Sequence, residues 1–189
     1  MFSDLVKKNR SYRRFYEDPP LNKPLLKSLV DLARYTASGA NKQAIRYFLA
    51  ADARTNAQIF PQLHWAAYLK DWAGPVAGER PTGYILLIQS ADYKTASPYD
   101  VGITAQTILL GAVEKGFGGC LLASFDREKL KTLLKLPADL EILLVIALGK
   151  PKETVIIDEI AASGDIKYYR DNQGIHHVPK FKLEDILLD

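Results

Sequence analysis

The chain has 189 residues, of which 48% are hydrophobic and 25% are charged, as is typical of a globular protein. This length suits one well-buried domain and is short for two. The net charge of +3 is only mildly basic, and the longest apolar run, residues 142–148, is far shorter than the roughly 20 residues that cross a bilayer. We therefore expect neither a membrane partner nor a nucleic-acid partner.

Two further features concern the cell compartment. Cys120 is the only cysteine, so an intrachain disulfide cannot form. Residues 1–8 lack the apolar stretch and the small-residue cleavage site of a signal peptide. Both features favour a cytoplasmic protein.

The first half of the chain predicts two helices and two strands. Asn22 is a suitable N-cap for the first helix, in which Leu25, Leu26, Leu29, Leu32 and Ala33 fall on one face at helical spacing. The elements expected after this helix are a polar turn over 37–41, a strand over 45–51, a helix over about 56–69, a Gly/Pro-rich loop over 72–81 and a strand over 84–89.

The segment 99–115 predicts the most deeply buried helix. Its apolar residues cover nearly the whole circumference: Val101, Ile103, Ala105, Ile108, Leu109, Leu110, Ala112 and Val113. A helix that is apolar all round is buried on all sides, and one small domain would hardly enclose it. We interpret this helix as part of a homodimer interface; the alternative is a central core helix of a monomer.

The second half of the chain predicts two more strands and a further helix. Gly116 is suited to end the helix, and the elements expected after it are a short buried strand over 118–123, a helix capped by Asp126 and a central strand over 141–148. The aromatic tail 168–182 has few core signals and suggests a segment that wraps onto a partner subunit. This irregular alternation predicts an α+β fold, with residues 1–189 as one domain. The sequence contains neither a Rossmann glycine motif nor a phosphate loop.

A basic cluster near the N-terminus suggests a phosphate site. Arg10, Ser11 and Arg13 place two guanidinium groups and a hydroxyl within four residues, and planar, permanently charged guanidinium groups suit a phosphate. Contacts of roughly 1.5–3 kcal/mol each would anchor a small phosphorylated ligand. Taken alone, the pattern leaves two alternatives open, a solvated helix end and a patch for nucleic acid.

Four motifs, in order along the chain, resemble the FMN-dependent nitroreductase family. They are residues 10–15, the turn 38–43 with its Asn-x-Gln ending, the segment 118–126 and the C-terminal segment 178–182. Together they span most of the chain. The resemblance implies a nitroreductase-like fold, in which helices flank a central, mostly antiparallel sheet, and an intertwined homodimer.

The resemblance also implies which residues hold FMN. It assigns the phosphate and ribityl chain to Arg10, Ser11 and Arg13, and it places Arg13 near the flavin pyrimidine edge. A cation there would stabilise the negative charge of reduced flavin. Lys180 and Lys182 resemble the late basic pair of the family that reaches the same phosphate.

Two further segments are implied to contact the flavin. The turn with Ser38, Asn41 and Gln43 resembles the segment that the partner subunit contributes, where amides bind flavin edges and ribityl hydroxyls. Ala123 and Ser124 resemble the position whose backbone N–H faces flavin N5, the atom that accepts the hydride.

The chain departs from the family pattern at three places. Asn9 stands where many members have a second arginine, and residues 44–45 replace a common Pro-Trp pair. Ala123 stands where some members have glutamate, so no carboxylate is available there. Because the contact to N5 is made by the backbone, the loss of this carboxylate does not abolish the expected chemistry.

Other reactive residues are expected to have structural roles. Cys120 follows two glycines in an apolar strand, which favours a buried core thiol over a nucleophile. His176 and His177 are adjacent on a strand and point to opposite faces, so we expect no metal site. Asp100 is interpreted as a helix cap, with a cofactor contact as the alternative.

The aromatic residues Trp65, Tyr68 and Trp72 recur at helical spacing. Such a stripe indicates core packing, and a lid over the substrate is the alternative that the resemblance suggests. The sequence does not separate the two.

The resemblance implies an NAD(P)H-dependent flavin oxidoreductase with a ping-pong mechanism. NAD(P)H would deliver a hydride to flavin N5 and leave, and a nitroaromatic, quinone or similar electron-poor acceptor would take its place. No side chain need act as an acid or base, because the flavin carries the chemistry. Two alternatives stay open, a flavin enzyme dedicated to one metabolite (a dehalogenase or an ene-reductase) and a basic nucleic-acid-binding module.

Overall fold

A computed structural model describes residues 1–90 and 96–188. The helices are α1 Phe2–Lys8, α2 Lys23–Ala33, α3 Ala53–Ile59, α4 Pro98–Glu114 and α5 Arg127–Leu133. The strands are β1 Phe15–Tyr16, β2 Ile45–Ala50, β3 Gly83–Ser90, β4 Gly118–Leu122, β5 Leu140–Pro151, β6 Val155–Ile160, β7 Tyr169–Arg170 and β8 His176–Phe181. None of the helices in this part of the chain is long and apolar enough to span a membrane.

The central sheet is antiparallel throughout and is organised around β5. This strand pairs with β3 along one edge, and along the other with β4 and, beyond it, with β1; β2 pairs with the outer edge of β3. One face of the sheet packs against α2 and α4, and the opposite face packs against α3 and α5. The expected α+β arrangement, a mostly antiparallel sheet flanked by helices, is therefore confirmed.

The expected caps of α2 and α5 are confirmed, because the side chains of Asn22 and Asp126 accept hydrogen bonds from Leu25 N and Lys129 N. At α4 the cap is Ser97, which accepts from Tyr99 N. The expectation that Asp100 caps this helix is wrong. Asp100 lies in the first turn and binds another segment, as described below.

In one chain, α4 is not buried on all sides. Its Ala105, Ile108 and Ala112 side chains are buried against the sheet. Tyr99 and Ile103, in contrast, are 82% and 44% exposed, so one chain leaves one apolar face of this helix uncovered.

The predicted helix over 56–69 is wrong. Asp52 caps α3, which ends at Ile59 and continues only as a short 3-10 turn, Phe60–Gln62. Proline lacks the N–H that a helix interior needs and clashes with the preceding turn, so Pro61 prevents a longer helix. The aromatic residues at 65–72 therefore lie on irregular backbone rather than on a helical stripe.

The C-terminal tail forms a second sheet that the sequence did not predict. In this C-terminal sheet, β8 lies between β6, to which it is parallel, and β7, to which it is antiparallel. Tyr168, just before β7, packs on Tyr68 with ring centroids 5.0 Å apart. The tail thus rests on its own chain; that it also wraps onto a partner stays a prediction.

The close approach of β4 to β5 gives a test of the fold. A Cβ at Gly119 would lie 2.2 Å from the carbonyl oxygen of Ala147, which is backbone and cannot move aside. A Cβ at Gly111 would meet the end of the Leu32 side chain at 2.7 Å, and Leu32 is 39% exposed and free to turn away.

We expect Gly119→Ala to lower the free energy of unfolding by about 3 kcal/mol, because overpacking against backbone is not relieved. Gly111→Ala should change the free energy of unfolding by less than about 1 kcal/mol. The higher helix propensity of alanine, about 1 kcal/mol, offsets the crowding against Leu32. Urea unfolding of both variants measures the difference. Equal stability of the two variants would contradict the packing of β4 described above.

Candidate functional site

The loop 10–13 lies directly on β4. Tyr12 N donates to the carbonyl oxygen of Gly119 at 3.0 Å, and Ser11 forms a parallel bridge with the same glycine. A Cβ at Gly118 would lie 2.5 Å from the ring of Tyr12. The two glycines at the start of β4 therefore let the basic cluster approach the sheet. This close approach explains the Gly-Gly pair better than burial of the strand does.

Arg10 is held in place but keeps unused hydrogen-bond donors. Its Nη2 donates to the carbonyl oxygen of Val6 at 3.1 Å, while its Nε is buried and has no hydrogen-bond partner. In the described part of the chain no carboxylate forms an ion pair with Arg10. A buried donor without a partner is costly, and an anionic ligand would remove that cost.

Arg13 is held by three neutral groups. Its Nη1 donates to the carbonyl oxygen of Ser11 at 3.2 Å and lies 3.3 Å from Nε2 of His176. Its guanidinium carbon lies 4.9 Å from the centre of the Tyr168 ring. Within residues 1–90 and 96–188, Arg13 also forms no ion pair, so its positive charge is not compensated.

Glu153 fixes the backbone at this point. Its buried carboxylate accepts hydrogen bonds from the backbone N–H groups of Arg13 and Arg14. Arg170 binds the other carboxylate oxygen, with its Nη2 2.9 Å away. Glu153 therefore pairs with Arg170 and with backbone donors, and not with the guanidinium of Arg13.

Arg14 differs from its two neighbours. It binds Glu79 through Nε and Nη2 at 2.5 and 2.6 Å, and Lys152 Nζ lies 3.0 Å from the same carboxylate. The hydrogen bond from Arg14 is the main cause that lowers the pKa of Glu79 to about 2. The structure thus divides the basic cluster into a compensated Arg14 and the uncompensated pair Arg10 and Arg13.

The other end of β4 is open to solvent. Ala123 and Ser124 follow the strand and are exposed. Ser124 accepts a hydrogen bond from His64 N at 3.1 Å, whereas its own N–H has no acceptor among the residues that the structure describes. At about 3.3 Å per residue, Ala123 lies about 13 Å along the strand from Gly119. A free backbone donor therefore lies at the opposite end of β4 from the loop that carries the uncompensated arginines.

The turn 38–43 is a separate, strained feature. Ser38 Oγ accepts from Gln43 N at 3.2 Å, and the Gln43 side chain donates to the carbonyl oxygen of Asn41 at 3.4 Å. The φ angles of Ala40, Asn41 and Gln43 are 50°, 52° and 48°. Non-glycine residues with such angles cost energy and concentrate at functional sites.

Asp100 anchors this turn. Its Oδ1 accepts a hydrogen bond from Gly39 N at 2.9 Å, and the carboxylate itself is buried. The turn is therefore tied to the first turn of α4. Within the described chain no hydrogen bond or ion pair connects it to Arg10, Ser11 or Arg13.

The two C-terminal lysines are also apart from the arginines in one chain. Lys180 lies in β8 about 13 Å beyond His176, at about 3.3 Å per residue, and is exposed. Lys182 follows the strand, and its backbone N–H donates to Ile160. In the part of the protein described by the structure, neither ammonium group shares a hydrogen-bond acceptor with Arg10 or Arg13.

The expected core position of Cys120 and the opposite directions of the two histidines are confirmed. Cys120 is 1% exposed, and burial raises the pKa of its thiol to about 12, so it is a core thiol. His176 is fully buried, whereas His177 faces the other way and lies 2.9 Å from Asp158. Three or more potential ligands that could hold a metal ion occur nowhere together in residues 1–90 and 96–188.

The aromatic residues at 65–72 serve packing in two places. Trp65 belongs to the core beside α3 and α5. Tyr68 packs on Tyr168, and the guanidinium of Arg170 lies 4.2 Å from the Trp72 ring centre. These contacts favour the packing interpretation over a lid, and they attach the C-terminal sheet to the main sheet.

Glu153, Tyr168 and His176 were missed as site residues. Each is distant in sequence from Arg13, and a single sequence contains no local pattern that joins them. The one available signal was a histidine, His176, within a polar, aromatic tail.

Comparison with known proteins identifies a family. The family model described as the Nitroreductase family matches residues 6–150. Protein DrgA of Synechocystis sp. is 38% identical over 53 residues, a match that spans 28% of this chain and about a quarter (25%) of that relative.

Two solved structures have the same fold. A nitroreductase family protein from Clostridium novyi NT is 23% identical with a TM-score of 0.66, and the alignment covers 80% of this chain and 86% of that one. A variant of the FMN- and NADPH-dependent nitroreductase NfnB, derived from Sphigopyxis sp., is 18% identical with a TM-score of 0.63, over 80% and 88% of the two chains. At these identities the likeness shows the fold.

The ion pair of Arg14 and Glu79 predicts a pH dependence of stability. Because the folded state lowers the pKa of Glu79 from 4.5 to about 2, its contribution is present above pH 4.5 and is lost as the pH falls towards 2. Allowing for solvent around the partners, this contribution is about 1–2 kcal/mol.

We expect Glu79→Gln to lower the free energy of unfolding by that amount at pH 7 and to flatten its decline on acidification. Chemical unfolding at several pH values from 7 to 2.5 measures both effects. A variant whose stability declines as steeply as that of the wild type would exclude Glu79 as the cause.

Proposed function

The chain belongs to the nitroreductase family, and from that premise we propose that it is an FMN-dependent oxidoreductase. It would take a hydride from NAD(P)H and pass it to a nitroaromatic, a quinone or a similar electron-poor acceptor by a ping-pong mechanism. The description of NfnB as FMN- and NADPH-dependent supports both the cofactor and the nicotinamide. Bound FMN would supply the redox chemistry, since its N5 accepts and releases the hydride.

One observation carries the proposal: Arg10 and Arg13 belong to one loop that lies on β4, and neither has a carboxylate partner in the described structure. Positive charges of this kind attract an anion, and guanidinium groups bind phosphate oxygens through paired donors. The buried Nε of Arg10 has no partner, as expected of a donor that a ligand completes. Arg10, Ser11 and Arg13 would therefore hold the FMN phosphate and ribityl chain.

The open end of β4 suits the flavin ring system. Ala123 and Ser124 are exposed, and Ser124 offers a free backbone N–H. A backbone donor at this position would orient the ring at its reactive edge, as the resemblance implies. The uncompensated charge of Arg13 would stabilise negative charge on the reduced ring. The residues thus bind, orient and supply charge, and none has to transfer a proton.

The rest of the site is proposed to come from a second copy of the chain. A second copy would bury the exposed apolar face of α4, which contains Tyr99 and Ile103. The turn 38–43 is attached to the same helix through Asp100. In a homodimer with its interface on this face, Ser38, Asn41 and Gln43 would approach the flavin of the partner. The strained, exposed turn is consistent with a role in binding.

The C-terminal segment is proposed to contribute Lys180 and Lys182 to a phosphate site. Both lysines are too far along β8 to bind beside Arg13 of their own chain, and both project from a tail that would contact the partner. We treat residues 1–189 as one domain with this wrapping tail. The single buried Cys120 suits the reducing cytoplasm.

Replacement of Arg10 tests the phosphate site. A charge-assisted hydrogen bond contributes roughly 1.5–3 kcal/mol, so Arg10→Ala should weaken FMN binding about 10- to 150-fold. Arg14→Ala is the matched control, because Arg14 is engaged by Glu79; it should lower stability and change FMN affinity by less than about threefold. Fluorescence titration of the flavin-free protein gives the affinities. Equal affinities of the two variants would remove the assignment.

Replacement of Ile103 tests the interface. A charge on the exposed α4 face should separate the subunits, because burying an unpaired carboxylate is costly. We expect Ile103→Glu to be monomeric in analytical ultracentrifugation and to lose bound FMN. Val76→Glu, at a 64% exposed site outside this face, should stay dimeric and keep its flavin. A wild-type protein that is monomeric at all concentrations would refute the dimer.

A further inference from the structure

The family match ends at residue 150, yet three groups that hold Arg13 lie beyond it. Glu153 fixes the backbone of Arg13, and Tyr168 and His176 contact its guanidinium. All three belong to the C-terminal sheet or to the segments that lead into it. This sheet therefore reaches the centre of the proposed flavin site from a region outside the matched part of the chain.

His176 is an unusual partner for an arginine because it is uncharged. Burial, and then the positive charge of Arg13, lower its pKa to about 4, so the imidazole is neutral at pH 7. Among the other charged groups near it, Glu153 raises this pKa, while Arg170 and His177 lower it. A neutral imidazole accepts the hydrogen bond from Arg13 Nη1 at Nε2, which places the ring proton on Nδ1.

That proton has no acceptor. Nδ1 of His176 is buried without a hydrogen-bond partner, and the side chain is fully enclosed. An unsatisfied buried donor costs about 1–3 kcal/mol, and such exceptions in a folded protein call for an explanation. A side chain without a second donor would avoid this cost if packing were the only requirement.

We propose that His176 is a positioning residue for the flavin site: it orients the guanidinium of Arg13 towards the cofactor without neutralising its charge. The inference rests on the proposed function. A carboxylate at this place would hold Arg13 equally well but would cancel the charge that the ligand needs. The Tyr168 ring lies 4.9 Å from the guanidinium carbon, and the Glu153 carboxylate binds Arg170 and backbone N–H groups instead.

The test compares three replacements of His176 in the full-length protein loaded with FMN. His176→Gln retains a neutral acceptor, whereas His176→Glu has the same shape and adds a negative charge. His176→Leu removes the hydrogen bond. His177→Leu, one residue further on the opposite face of β8, is the matched control. The readouts are the FMN dissociation constant and the two-electron midpoint potential of bound FMN.

We expect His176→Gln to stay within about twofold of the wild type in FMN affinity. His176→Glu should bind FMN at least tenfold more weakly. In His176→Leu, the preference for reduced over oxidised flavin should fall about tenfold, which lowers the midpoint potential of bound FMN by about 30 mV. His177→Leu should lower thermal stability and leave the potential unchanged. A merely structural role for His176 would move stability without moving the potential.

Several results would overturn the inference. Equal FMN affinities of His176→Gln and His176→Glu would show that the charge at this position does not matter, and this pair decides even if His176→Leu does not fold. A potential shift in His177→Leu as large as that in His176→Leu would assign the effect to the sheet as a whole. If the wild type binds FMN and only these comparisons fail, the proposed function stands; if the wild type binds no FMN, both are overturned.

Discussion

The positive charge of Arg10 and Arg13 is the constraint on which the rest of the site depends. The loop 10–13 that carries them lies on the start of β4, where two glycines let it approach, and neither guanidinium has a carboxylate partner in the described residues. Their neighbour Arg14, in contrast, is paired with Glu79. A protein that only needed stability would gain little by leaving two of three arginines unpaired. The arrangement is the one expected when a phosphate completes the site.

The guanidinium of Arg13 must also be oriented, and the C-terminal sheet contributes to its orientation. Glu153 binds backbone N–H groups, Tyr168 supports the guanidinium of Arg13, and His176 accepts a hydrogen bond from it. Tyr68 and Trp72 attach this sheet to the main body. The central sheet and its helices therefore provide the fold that the family shares. The segment beyond residue 150 contacts Arg13, a residue at the centre of the proposed site.

The sequence predicted those elements whose signals are local. The Asn22 cap of α2, the alternating or continuous apolar runs of β2, β3 and β5, and the apolar helix α4 all depend on neighbouring residues. The helix over 56–69 was wrong because Pro61 prevents the helix from continuing beyond a short 3-10 turn. The distinction between Arg14 and Arg13 could not be predicted, because it depends on Glu79 and Glu153, 65 and 139–140 residues away. The C-terminal sheet was missed for the same reason: its short strands are stabilised by distant contacts.

The most direct measurement compares the binding of FMN with that of riboflavin, which has the same ring and ribityl chain but no phosphate. Two charge-assisted contacts of roughly 1.5–3 kcal/mol each make FMN bind at least about 100-fold more tightly. Isothermal titration calorimetry of the flavin-free protein with each ligand gives this ratio. Equal affinities, or no binding of either ligand, would contradict a phosphate site at Arg10 and Arg13.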